Sequence, residues 1–278
     1  MLKQRIITAV VLLAILLPSL FYPSPMPFGV VALVLIAASG WEWGRLNGLP
    51  HTGSVGIAIA CVGLCSASWA QGWLVQPLPW LWAAAGAAWV LGGGFLLARG
   101  VLGWGQLPKS LRVLGGAVAL CLAWLALAQA RVLGIEFLLS VMLLVWVADI
   151  GAYFAGRRFG GRFSHNKLAP SISPGKSWEG VWGGMVGVML MAFVWLVAHP
   201  AGRSLFHSLF ERHGFVIMVF AVVFLAAMSV VGDLVESLVK RSAGAKDSSG
   251  LLPGHGGVLD RVDALLPTLP LAMMLVSF

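Results

Sequence analysis

Apolar residues fill this chain in successive blocks, each about 15–25 long, separated by short polar or Gly/Pro-rich breaks. Nine such blocks predict membrane-spanning helices near 5–22, 27–41, 55–72, 79–98, 113–130, 135–156, 179–198, 215–239 and 258–278. The first follows Lys3 and Arg5 and resembles a secretion signal. Its exit, Pro18-Ser19-Leu20-Phe21-Tyr22, lacks the small-x-small cleavage pattern, so it is expected to be retained. With the N-terminus inside, every Lys and Arg except Arg131, Arg203 and Arg212 falls in an inner loop or beside one, out of 18 in total. That asymmetry is the positive-inside signature and sets the orientation.

Composition agrees with the pattern. The 278 residues are 59% hydrophobic and 10% charged, where a soluble domain carries roughly 25% charge. Too few charges exist to coat a surface in water. The expectation is an all-α polytopic bundle of about nine transmembrane helices, one domain over 1–278, with the informative chemistry in 134–278 rather than 1–133. A net charge of +8 is then explained by inner loops, and no nucleic-acid partner is expected. Cys61, Cys65 and Cys121 sit in apolar runs without metal-ligand spacing, and read as small buried hydrophobes. His207 and His213 fall in an outer loop read as solvated.

The ten acidic residues change the picture most. A carboxylate inside a span costs about 2.5–3.5 kcal/mol on insertion scales, so it marks function by default. Asp149 comes late in the sixth span, Asp233 and Glu236 late in the eighth, Asp260 and Asp263 early in the ninth, and Glu179 opens the seventh. The alternating directions of these spans put all six at similar depth near the cytoplasmic face. Asp233, Glu236, Ser237 and Lys240 follow i, i+3, i+4, i+7 spacing and share a helix face, as do Asp260 and Asp263. Two carboxylate faces near water suit a hard cation such as Mg²⁺. Between them runs a loop with Arg241, Lys246, Asp247, His255 and Arg261 beside Gly254, Gly256 and Gly257. Its backbone N–H groups and cations suit a phosphate. Gly175-Lys176-Ser177 is not a P-loop, because Pro170 stands where the glycine is required and no strand precedes it.

The segment Ser237-x-x-Lys240-Arg241, then Lys246-Asp247, then Pro253-x-His255-Gly256-Gly257-x-x-Asp260-Arg261-x-Asp263 resembles the signature of the phosphatidate cytidylyltransferases (CDP-diglyceride synthetases). The stretches Asp149–Gly160 and Leu168–Gly180 are similar to that family's central region, with Ser177 where the family commonly has Thr. The N-terminal half is similar only through Leu2–Arg5 and Glu42-Trp43. The resemblance implies transfer of the cytidylyl group of CTP to phosphatidate, giving CDP-diacylglycerol and pyrophosphate, in phospholipid biosynthesis. It implies a bacterial inner membrane and a site facing the cytoplasm.

On that reading Asp233, Asp260 and Asp263 bind Mg²⁺, with Asp149 and Glu236 as weaker candidates. Lys240, Arg241, Lys246 and Arg261 bind the phosphates of CTP and lipid, with Lys176, His255 and Ser237 as further candidates. Asp233, Lys240, Asp260 and Arg261 form the catalytic set. A second, monovalent cation and a homodimer both stay open. The competing class is an ion-coupled transporter using the carboxylate cluster. The outer halves of spans six, eight and nine are nearly all apolar, which disfavours a through-path.

Overall fold

A computed structural model describes residues 2–164 and 166–278, with side chains from Gln4 onward. Lys3, counted above among the inner cations, therefore lies outside the described side chains. Eight helices among the described residues are long and apolar enough to cross a membrane. They are α1 (Leu2–Phe21), α2 (Met26–Leu46), α3 (His51–Ala70), the span of α4 (Pro79–Ala87), a π-helical turn (Ala88–Gly92) and α5 (Gly93–Gln106), which breaks at Gly100 where φ is +66°, then α6 (Lys109–Leu133), α7 (Ile135–Phe159), α8 (Trp178–Ala198) and α9 (Leu205–Ser242). Hydrocarbon offers backbone amides no partner, so each span closes its hydrogen bonds within itself. The molecule is an all-α polytopic membrane protein.

The ninth apolar block is built differently from the others. It forms two short helices, α10 (Leu259–Val262) and α11 (Leu265–Leu275), separated at Asp263-Ala264. Pro267 and Pro270 lack amide donors, which limits a long regular helix here. Residues Leu265–Met273 are buried throughout, so α11 fills the bundle interior against α9, α6 and α4 instead of facing lipid.

The eighth block also extends further than its apolar core. α9 starts at Leu205, capped by the Ser204 hydroxyl accepting from the His207 N–H at 3.3 Å, and bends at Gly214, where φ is +78°. The turns before that bend hold Leu205, Phe206 and Leu209, all fully buried. His207 is buried with them, its Nδ1 2.7 Å from the Ser204 hydroxyl. It is not the solvated loop residue that its polar neighbours suggest. The cysteines behave as expected: Cys61 and Cys65 are buried, and all three are free.

α7 and α8 form the tightest helix pair near the site. A Cβ added at Gly184 would come 2.6 Å from the Ala148 carbonyl, and one at Gly180 would come 2.9 Å from the Ala152 carbonyl. Small residues let the two backbones approach, and that approach sets Asp149 on α7 beside the residues that lead into α8. This glycine stripe is thus used within the chain.

Candidate functional site

At one end of the bundle, α9 presents Asp233, Glu236, Ser237 and Lys240 along a single face, as helical spacing requires. The Lys240 ammonium sits 2.5 Å from Glu236 Oε2 and 2.6 Å from Asp260 Oδ1. One lysine therefore joins the two carboxylate faces. Glu236 is 3% exposed, and its oxygens accept no hydrogen bond among the described residues. The ion pair with Lys240 is its compensation. A second lysine, Lys176, arrives from the segment between α7 and α8 and pairs with Asp233. The Ser237 hydroxyl donates to the other Asp233 oxygen at 3.3 Å. Asp149, Lys176 and Asp233 line one cleft of about 390 Å³ together with Tyr153, Arg157 and Ser177.

Two buried glutamates hold the loops that frame this site. Glu179, in the first turn of α8, accepts from the N–H groups of Phe163 and Ser164 at 3.0 and 2.8 Å. Glu42, fully buried on α2, accepts from the Val258 and Leu259 N–H groups at 2.9 and 2.7 Å. It also accepts from the hydroxyls of Ser249 and Ser248 at 2.5 and 3.1 Å. The signature loop is thereby anchored to a helix more than 200 residues away in sequence. Gly257 is required at that anchor, because a Cβ there would collide with the Glu42 carboxylate and the Ser248 hydroxyl. Gly254 and Gly256 adopt φ of +78° and +81°, open to glycine at little cost. From the outside, the Thr8 hydroxyl on α1 donates to the Pro253 carbonyl at 2.9 Å.

Asp260 accepts from the Ser248 N–H at 2.9 Å and the Gly257 N–H at 2.8 Å, besides Lys240, and the Ser248 hydroxyl, 3.0 Å from Asp260 and 3.1 Å from Glu42, shares its one proton between the two carboxylates. The Lys240 ammonium and these N–H groups compensate its carboxylate. The loop N–H groups read above as a phosphate cradle thus turn inward. Those of Ser248, Gly257, Val258 and Leu259 satisfy Asp260 and Glu42, since buried amides must be paired.

The outward-facing groups of the loop are its cations. Arg241 is exposed and donates to the Ile172 carbonyl at 3.3 Å, bridging the two loops. Arg261 is exposed, with two of its nitrogens on the His255 carbonyl at 3.1 and 2.6 Å. Lys246 and Asp247 are exposed, and His255 is half-buried.

Among the described residues, no three acidic, His or Cys side chains stand close enough together to enclose an ion. The donor set nonetheless fits a hard cation of one kind. Magnesium is usually held by one or two carboxylates plus substrate phosphates, not by an all-protein cage. Asp149 and Asp233 share one cleft, and Asp263 ends α10 one helical turn after Asp260. Carboxylates crowded in this way favour a cation between them.

Every residue singled out by its motif position lies in this region. Sequence reasoning missed the roles of Glu42 and Glu179. The available signal was a carboxylate inside or opening an apolar helix. For Glu42 it was obscured, because the apolar block ends at residue 41 whereas α2 continues to Leu46.

Residues 3–278 match the model of a family described as the cytidylyltransferase family. The chain is 40% identical over 280 residues to a protein from Pseudomonas aeruginosa named phosphatidate cytidylyltransferase, covering 97% of this chain and 95% of that one. It is 38% identical over 304 residues to a protein of the same name from Haemophilus influenzae, covering 97% and 96%. A Brucella suis protein of that name is 35% identical over 279 residues, covering 95% and 89%.

Proposed function

The chain belongs to the cytidylyltransferase family, and from that premise we propose that it transfers the cytidylyl group of CTP to phosphatidate, giving CDP-diacylglycerol and pyrophosphate. The observation that carries this reading is the cluster itself. Lys240 joins Glu236 to Asp260, Lys176 pairs with Asp233, and exposed Arg241, Lys246 and Arg261 stand at the same end of the bundle. A polyphosphate brings several negative charges to that end. Exposed arginines suit it through charge-assisted, bidentate contacts.

In the reaction, an oxygen of the lipid phosphate forms a bond to the α-phosphorus of CTP. The bond from that phosphorus to the α,β-bridging oxygen breaks, and its electron pair leaves with pyrophosphate. The lipid phosphate is already an anion near neutral pH, so the protein's main tasks are positioning and charge neutralisation. Lys176 and Lys240 are placed to exchange a carboxylate partner for a phosphate oxygen, and Arg241, Arg261 and Lys246 to neutralise the triphosphate, with His255 at the loop's edge. Ser237 orients Asp233. Asp260, fully engaged by the loop, sets the position of Lys240. Asp233 and Asp263, beside Asp149, would hold Mg²⁺. When bound, the ion neutralises charge on the transferring and leaving phosphates. We place this end of the bundle on the cytoplasmic side, where CTP is dissolved and the lipid phosphate lies at headgroup depth.

The test is substrate choice. Purified protein given phosphatidate and Mg²⁺ should form a lipid-linked nucleotide from labelled CTP and none above background from ATP. A chelator should abolish the product, and restored Mg²⁺ should recover it. Absence of product from CTP, or equal product from ATP, would overturn the reading.

A further inference from the structure

A lateral apolar cleft of about 430 Å³ opens between α5, α6 and α9, within the roughly 300–1,000 Å³ of ordinary ligand clefts. Phe95, Leu111 and Val118 line it and are exposed, on a surface that faces hydrocarbon in a bilayer. Its wall on α9 includes Gly232, Val235 and Glu236, with Leu259 of α10 beside them. Glu236 is also the partner of Lys240. The cleft and the ionic site therefore share a wall. Glu236 is over nine-tenths buried there, its Oε2 2.5 Å from the Lys240 ammonium.

The cleft exists because side chains are missing from its walls. Gly92 ends the π-helical turn and Gly115 lies on α6, both lining the cleft, whereas Gly93 and Gly116 beside them are packed against Val231 and Trp43. A Cβ at Gly92 or at Gly115 would meet nothing within 4 Å. Neighbouring helices do not close this space. One end of it is cationic. Arg112 lines the cleft, its Nε buried without a hydrogen-bond partner and its guanidinium 5.9 Å from the Trp104 ring. The Trp43 indole N–H is shared between the Arg112 and Val113 carbonyls at 3.2 and 3.1 Å. That contact ties this turn of α6 to the turn of α2 that carries Glu42. An apolar trough open to lipid, cationic at one end and adjoining the phosphate site, has the polarity of an anionic phospholipid.

We propose that this cleft seats an acyl chain of the lipid substrate, with Arg112 at its polar end facing the lipid phosphate. The proposal rests on the lipid-acceptor reading above. A chain passing from bilayer to cleft exchanges one apolar setting for another, so little affinity comes from hydrophobic burial. The gain is positional: a held chain fixes where the phosphate lies relative to CTP.

The variants that test this fill the cleft without touching the ionic site. Gly92 precedes α5 and is separated along the chain from Arg112 by the break of α5 at Gly100, where φ is +66°, whereas Gly115 is one helical turn from Arg112. Gly92→Phe should lower kcat/KM for dioleoyl phosphatidate on the order of tenfold or more. It should leave dihexanoyl phosphatidate, whose chains stop short, within about twofold. Gly115→Phe should lower both lipids. The KM for CTP should not move in either variant, which also reports an intact fold. Unchanged turnover of dioleoyl phosphatidate in Gly92→Phe would mean that only annular lipid occupies the cleft, and would overturn the proposal. Equal loss with both lipids in Gly92→Phe, or a changed oligomeric state in place of chain-length selectivity, would overturn it too. Wild-type protein that makes no product from either lipid would defeat the acceptor reading itself, a failure visible before any variant is made.

Discussion

Glu42→Ala is expected to abolish activity while leaving the chain inserted in the membrane. The substitution removes the acceptor for two backbone N–H groups and two hydroxyls of the signature loop. Hydrogen bonds to a charged group contribute roughly 1.5–3 kcal/mol each, and buried donors left unpaired cost more. The helices of the bundle do not depend on this contact, so the loss should appear as local opening of the loop. Limited proteolysis should then cut within 243–257, where the wild type resists. Turnover should fall at least about a hundredfold, because displacement of about 1 Å is enough for that. Glu42→Gln keeps the shape but points an amide donor at donors, and should fall between the two. Wild-type protease resistance together with near-normal turnover in Glu42→Ala would remove the anchoring role.

Lys240→Met should have an effect of similar size for a different reason. Lys240 is 12% exposed in its side chain, and its partners Glu236 and Asp260 are 3% and 7% exposed. Deleting the cation leaves buried carboxylates uncompensated, a change that costs about 3–5 kcal/mol in comparable buried pairs. Thermal unfolding in detergent should shift markedly downward, and activity should be lost. Adding Glu236→Gln removes one of the stranded charges. The double variant should therefore recover part of the stability but none of the activity, since the phosphate ligand is still missing. Full stability in Lys240→Met alone, or activity in the double variant, would contradict the assignment.

The depth of the acidic residues was legible in the chain because each span reverses direction and each carboxylate sits at a definite place along its span. The structure puts Asp149, Asp233, Asp260 and Asp263 together at one end of the bundle as that reasoning requires. The i, i+3, i+4, i+7 run from Asp233 to Lys240 likewise becomes a single face. What could not be read is which groups compensate which. Asp260 looks like a metal ligand from its spacing, yet its oxygens are taken by Lys240, Ser248 and Gly257. Glu42 carried no local pattern, because its partners come from a loop more than 200 residues later. The break of the last span at Asp263-Ala264 was hidden in an apolar run whose hydropathy does not register Pro267 and Pro270. The lateral cleft was invisible for the opposite reason: Gly92 and Gly115, which leave its walls open, read in the sequence like Gly93 and Gly116, which pack against Val231 and Trp43.

The account stands or falls on which phosphorus of the nucleotide reaches the lipid. Purified wild-type protein should be given unlabelled phosphatidate, Mg²⁺ and CTP labelled at either the α- or the γ-phosphate. The α-label should appear in the lipid fraction and the γ-label wholly in released pyrophosphate. Label from the γ-position in lipid, or no lipid label from either, would contradict a cytidylyl transfer at this site.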